Sequence, residues 1–146
     1  MRAYATIQSV GNLIGMLSED DMVCCRLNPL VMFRGATKRW TITIRREVDD
    51  EPIDITAATA LEFQVKTVPG AADPPLISKA IGTGVTIQPQ TGDTLGQAII
   101  ALDGADTNGA GTPAGLYHYD VVLVLGGERH YVIAPSEFWL RDVVNP

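Results

Sequence analysis

The stretch Ala114–Ala134, AGLYHYDVVLVLGGERHYVIA, sets two tyrosines around a histidine and follows them with an aspartate. His118 and Asp120 are two residues apart, so on an extended chain they share one face, as a general acid–base pair or two metal ligands must. A working site of either kind needs a further group, a nucleophile or a third ligand. The only other histidine is His130, beyond the Gly126–Gly127 turn, and no carboxylates around it follow a metal-ligand spacing. The residues read instead as architecture. Gly115 breaks the preceding loop, Tyr117 opens a strand, and Tyr119, Val121, Leu123 and Leu125 continue on its face. Val122 and Val124 follow His118 and Asp120 on the other face, the pattern of a central strand covered on both sides.

The remaining candidates for chemistry are weaker. Asp103, Asp106 and Asn108 offer oxygen ligands to calcium, but without the Asp-x-Asp-x-Asp-Gly spacing and closing glutamate of a calcium loop. The glycine-rich run Gly109–Gly115 precedes a strand and not a helix, so it has no helix N-terminus with which to cradle phosphate. Ser9, Ser18, Ser78 and Ser136 lack a nucleophile-elbow setting. Arg34, Lys38, Arg39, Arg45 and Arg46 form one basic neighbourhood, answered at once by Asp49, Asp50, Glu51 and Asp54; mixed signs fit a solvated strand face. The expectation is therefore no catalytic residue, no cofactor and no metal.

These residues must be positioned by a chain of 146 residues, enough for one domain. Its 46% hydrophobic content can fill a core, and a net charge of -6 repels phosphate backbones and anionic lipid, so neither nucleic acid nor a membrane is an expected partner. No apolar run approaches the ~18 residues of a membrane span. The N-terminus lacks the order of a secretory signal. Adjacent Cys24 and Cys25 fit poorly into one ring and read as reduced thiols of a cytoplasmically made protein, with an inter-subunit crosslink as the alternative.

Two segments are expected. Residues 1–29 read as an extended or partly helical arm: Ile7, Val10, Ile14 and Leu17 recur at helical spacing, weakened by Gly11 and Gly15. With Met22, Cys24 and Cys25 they are candidate assembly contacts. Residues 30–146 read as an all-β domain of eight or nine short strands without an intervening helix. Trp40, Ile42 and Ile44 alternate with Thr41, Thr43 and Arg45, and Leu61, Phe63 and Val65 with Glu62, Gln64 and Lys66; IDIT before them and SEFWLRDVV at the end also read as strand. In that last run Trp139 has the opposite parity to Phe138 and Leu140, so one side exposes aromatic or aliphatic surface, and Trp139 joins the candidate interface. The fold class expected is an antiparallel immunoglobulin-like β-sandwich, in which a tyrosine placed like Tyr117 turns its hydroxyl onto upstream backbone and pins a corner. Gly115, Tyr117 and Tyr119 are the candidate corner.

Three segments come in the order of a known pattern: FRGATKRWTITI (Phe33–Ile44), IDITAATALEFQVK (Ile53–Lys66) and AGLYHYDVVL (Ala114–Leu123). They resemble the phage virion β-sandwich modules that include the immunoglobulin-like N-terminal domain of the lactococcal phage baseplate upper protein. The chain departs from that pattern at Ala36, where it has Asp, and at Ala57, where it has Gly. The resemblance implies a non-enzymatic structural protein of the virion (tail, baseplate, connector or capsid surface), made in the bacterial cytoplasm, present in several copies and partnered by other virion proteins. The alternative is a carbohydrate- or receptor-binding module at a tail tip. Such modules present loop aromatics, and the loops 69–75 and 103–115 contain none.

Overall fold

The computed structural model describes residues 2–9, 29–69 and 74–142. These form nine strands: β1 (Ala3–Ser9), β2 (Leu30–Phe33), β3 (Lys38–Arg46), β4 (Ala60–Lys66), β5 (Ile77–Ile81), β6 (Gly84–Ile87), β7 (Gln97–Leu102), β8 (Gly115–Leu125) and β9 (Glu128–Arg141). One helical turn, α1 (Gly104–Thr107), and a 3-10 turn at Gly92–Thr94 interrupt them. The protein is all-β. Hydrogen bonds join the strands into one sheet of order β1-β3-β7-β6-β5-β4-β8-β9-β2. It is mixed and not wholly antiparallel: β2 runs parallel to β9 and β5 parallel to β6.

The sheet curls until its halves face each other, because both present apolar residues at alternate positions. From β3 come Trp40, Ile42 and Ile44, from β4 Leu61, Phe63 and Val65, all at most 2% exposed. The Trp40 ring stacks on Phe63 at 6.1 Å and meets Phe138 edge-on at 6.2 Å, joining β3 to β4 and β9 across the fold. Tyr119 and Phe138 complete the aromatic cluster.

The chain passes between the halves at β5–β6. Ala80 N donates to Thr83 O, Thr83 N to Ala80 O and Gly82 N to Val85 O, a coil so tight that Gly82 and Gly84 take φ of 87° and 100°. A Cβ on Gly84 would also lie 2.4 Å from Lys79 Cδ, so glycine is needed there twice over. The β8–β9 hairpin turns on Gly126 and Gly127, both at positive φ, as a two-residue turn that continues the strand twist requires.

Several expectations are corrected. Residues 3–9 belong to the sheet, not to an arm: β1 pairs with β3 from Ala3↔Arg46 to Ser9↔Trp40, and Ile7 is a core residue at 2% exposure rather than an assembly contact. The strand alternation of Ala5 and Ile7 prevails because β3 supplies a partner edge along its length. Val10, Ile14, Leu17, Met22, Cys24 and Cys25 lie outside the described residues. IDIT is no strand; Ile53 N donates to Ile44 O, and Ile55 is drawn into the core with its N–H on Gln90 Oε1 at 3.0 Å. The helical turn α1 was not expected, and Asp103 and Asp106 build it by capping each other's backbone N–H.

Strand β9 runs through Pro135 without ending. Between the pairs Tyr119↔Ser136, Val121↔Ile133 and Val122↔Tyr131 it carries one extra residue twice, so it bulges where proline could not donate. The bulges explain why the adjacent Val132 and Ile133 are both buried.

Candidate functional site

Three groups of residues stand out on the half-sheet β4-β8-β9-β2. The first is polar. Asp120 lies on the outer face of β8 beside Gln64 of β4, opposite the bulge in β9, and is 4% exposed. Lys66 Nζ lies 3.7 Å from its Oδ2. Burial raises the Asp120 carboxyl above the usual carboxylate range, while the Lys66 ammonium and, more distantly, Arg129 draw it down. His118 lies two residues away on the same face, cross-strand from Lys66 and Glu137, and its buried Nδ1 finds no hydrogen-bond partner among the described residues. His130 pairs instead with core-facing Leu123, which puts it on the opposite side of the sheet, 3.5 Å from Glu128. The sheet itself thus keeps the two histidines apart.

The second group fastens a corner. Tyr117 Oη donates to Pro113 O at 2.6 Å, and burial raises the phenol above its ordinary range. Arg34 closes on the same loop: Nε donates to Thr112 O at 2.8 Å, Nη2 to Gly109 O at 3.1 Å and Nη1 to Asp142 at 2.9 Å. Gly35 N donates to Thr107 Oγ1, and Lys79 pairs with Asp106 at 3.0 Å. Both carboxylate oxygens of Asp106 therefore accept from the protein, one from Lys79 and one from Asp103 N. Arg34 was expected on a solvated strand face; it is a clamp, which no local pattern reveals because its partners come from two distant segments. Tyr117→Phe will cost about 1 kcal/mol, a single hydrogen bond, with the Arg34 clamp keeping the loop in place. Urea unfolding reads this, and a loss above about 3 kcal/mol would mean that the hydroxyl holds more than the corner.

The third group is apolar. Parallel pairing sets Val31 of β2 beside Trp139 of β9, and antiparallel pairing sets Trp139 beside Leu116 of β8, so the three make a row across the outer face. Val31 is 44% exposed and Leu116 39%; Phe33, one step along β2, is 51% exposed, and Trp139 is half-buried among them. The Trp139 indole N–H donates to Glu137 Oε1 at 3.3 Å. Comparison with family models and with curated proteins finds no match. The row is the feature of this half-sheet that lacks a structural explanation within one chain, since buried apolar surface stabilises and this is left in water.

Sequence reasoning raised Trp139 by its parity but missed Val31, Phe33 and Leu116, whose exposure follows only from the β2–β9 pairing. Elsewhere, Arg2, Arg46, Glu47 and Val48 line a shallow depression at the Arg46 end of β3, where Arg46 is held by Asp49 at 3.1 Å.

Proposed function

We propose that the chain is a structural module of a bacteriophage particle, an immunoglobulin-like β-sandwich that docks on neighbouring virion subunits and performs no catalysis. Strand order supports the fold: β1-β3-β7-β6 corresponds to the A-B-E-D sheet of such sandwiches and β4-β8-β9 to C-F-G. The Tyr117 hydroxyl on upstream backbone is placed as their corner tyrosine is. Fold analogy reaches only the type of module. The role is carried by the row Val31–Trp139–Leu116 with Phe33 beside it, a flat apolar face of the kind that permanent assemblies bury.

In this reading the protein is made in the host cytoplasm and ends in the virion, with other virion proteins as its partners. Segment 10–28 is retained as a second contact with neighbours, and a truncation testing it must spare β1, which belongs to the core. The decisive experiment compares purified particles of the encoding phage carrying the native chain or Trp139→Glu. The native chain is expected at constant stoichiometry, and the variant folded in the lysate but missing from particles. Normal loading of the variant would refute the docking role of this face.

A further inference from the structure

The apolar row has charged flanks whose arrangement identifies what covers it. On β9 the outward positions around Trp139 are Glu137 on one side and Arg141 on the other, both exposed. Successive outward residues are about 6.8 Å apart along a strand, so an acid, an indole and a base stand in line. Glu137 accepts the indole N–H, which holds carboxylate and ring in one orientation. Arg141 forms no side-chain ion pair among the described residues, and the neighbouring charges are committed, Lys66 to Asp120 and Asp142 to Arg34.

We propose that this face is a two-fold contact between two copies of the chain. A two-fold axis laid along the row Val31–Trp139–Leu116 places the row of one copy over that of the other. The same rotation reverses the strand direction, so Glu137 of each copy comes over Arg141 of its mate, and two ion pairs form from one. Such a pattern is self-complementary only in an isologous contact; a head-to-tail array would not repeat it. Two such faces pack as aligned sheets do, about 10 Å apart, with the row and Phe33 interdigitating and the charges at the rim. The inference rests on the reading of this face as an assembly contact and names its occupant.

The test uses the full chain in sedimentation equilibrium over a concentration series. The native protein is expected to be a dimer. Glu137→Arg alone and Arg141→Glu alone each set like charges together twice, and each should weaken dimerisation about tenfold or more. The double variant E137R/R141E restores opposite charges in the same geometry and should recover the native affinity. Both positions are solvent-exposed, and thermal unfolding checks that all variants remain folded. A native monomer throughout the series, or a double variant as weak as the singles, would overturn the proposal and leave the face to a different protein. The two readings fail separately: a dimer that never enters particles sinks the virion role alone, whereas particles loaded with a chain that stays monomeric sink the two-fold contact alone.

Discussion

Trp40→Ala will lower the free energy of unfolding by about 3–5 kcal/mol, the range for truncating a fully buried aromatic residue. The indole is 2% exposed and fills the space between the two halves of the curled sheet, against Phe63 on one side and Phe138 on the other. Those rings in turn contact Tyr119, so the loss opens a cavity that its neighbours cannot all close. Trp40→Phe retains most of the contacts and should cost less than half as much. Trp139→Ala, on the outer face, is the control and should cost about 1 kcal/mol or less in the monomer. Denaturant titration followed by circular dichroism measures all three. A Trp40→Ala loss below about 1.5 kcal/mol would mean that this cluster is not what holds the halves together.

Lys66→Met will destabilise the protein near neutral pH by about 3 kcal/mol, because it removes the cation facing a buried carboxylate. The effect depends on pH in a direction opposite to that of most paired carboxylates. Burial raises the folded Asp120 above its model value of 3.8, so between that value and the folded one the folded state binds more protons than the unfolded state. Stability therefore falls as pH rises through this window, and the cost is complete above the folded value. Removing Lys66 widens the window upward, so acidification should restore much of the lost stability. Asp120→Asn in the Lys66→Met background should abolish the pH dependence. The groups around Asp120 are Lys66 and Glu62 on β4, Arg129 on β9 and His118 on β8. Unfolding measured at neutral and mildly acidic pH decides it. A Lys66→Met protein whose stability drops further in acid would show that Asp120 is not the group responsible.

The fold was legible where one strand carries its own signal. In β3 and β4 large apolar and polar residues alternate without a break, and both faces follow from the period alone. The Gly126–Gly127 hairpin and the environment of Tyr117 were readable for the same reason: everything needed lies within a few residues. Ala5 and Ile7 were not, since Ala3, Ala5 and Thr6 are small and the next apolar positions also fit a helix; only the edge of β3 decides between the two. The parallel pairing of LVMF with FWLR leaves no mark in either segment, and with it went the exposure of Val31 and Phe33. Arg34 looked like a surface charge because its function depends on loops brought together by the finished fold.

Placing β2 beside the end of β9 has a consequence for biosynthesis. Arg34 and Asp142, bonded where these strands meet, are 108 positions apart. On the ribosome β2 must wait, apolar and without its neighbour, until almost the last codons have been read, and bringing such distant partners together is slow. A nascent chain in that condition is open to the wrong partner. Premature termination shortly before Phe138 would remove β2's only hydrogen-bonding neighbour as well as the missing residues, turning a small deletion into loss of the native state.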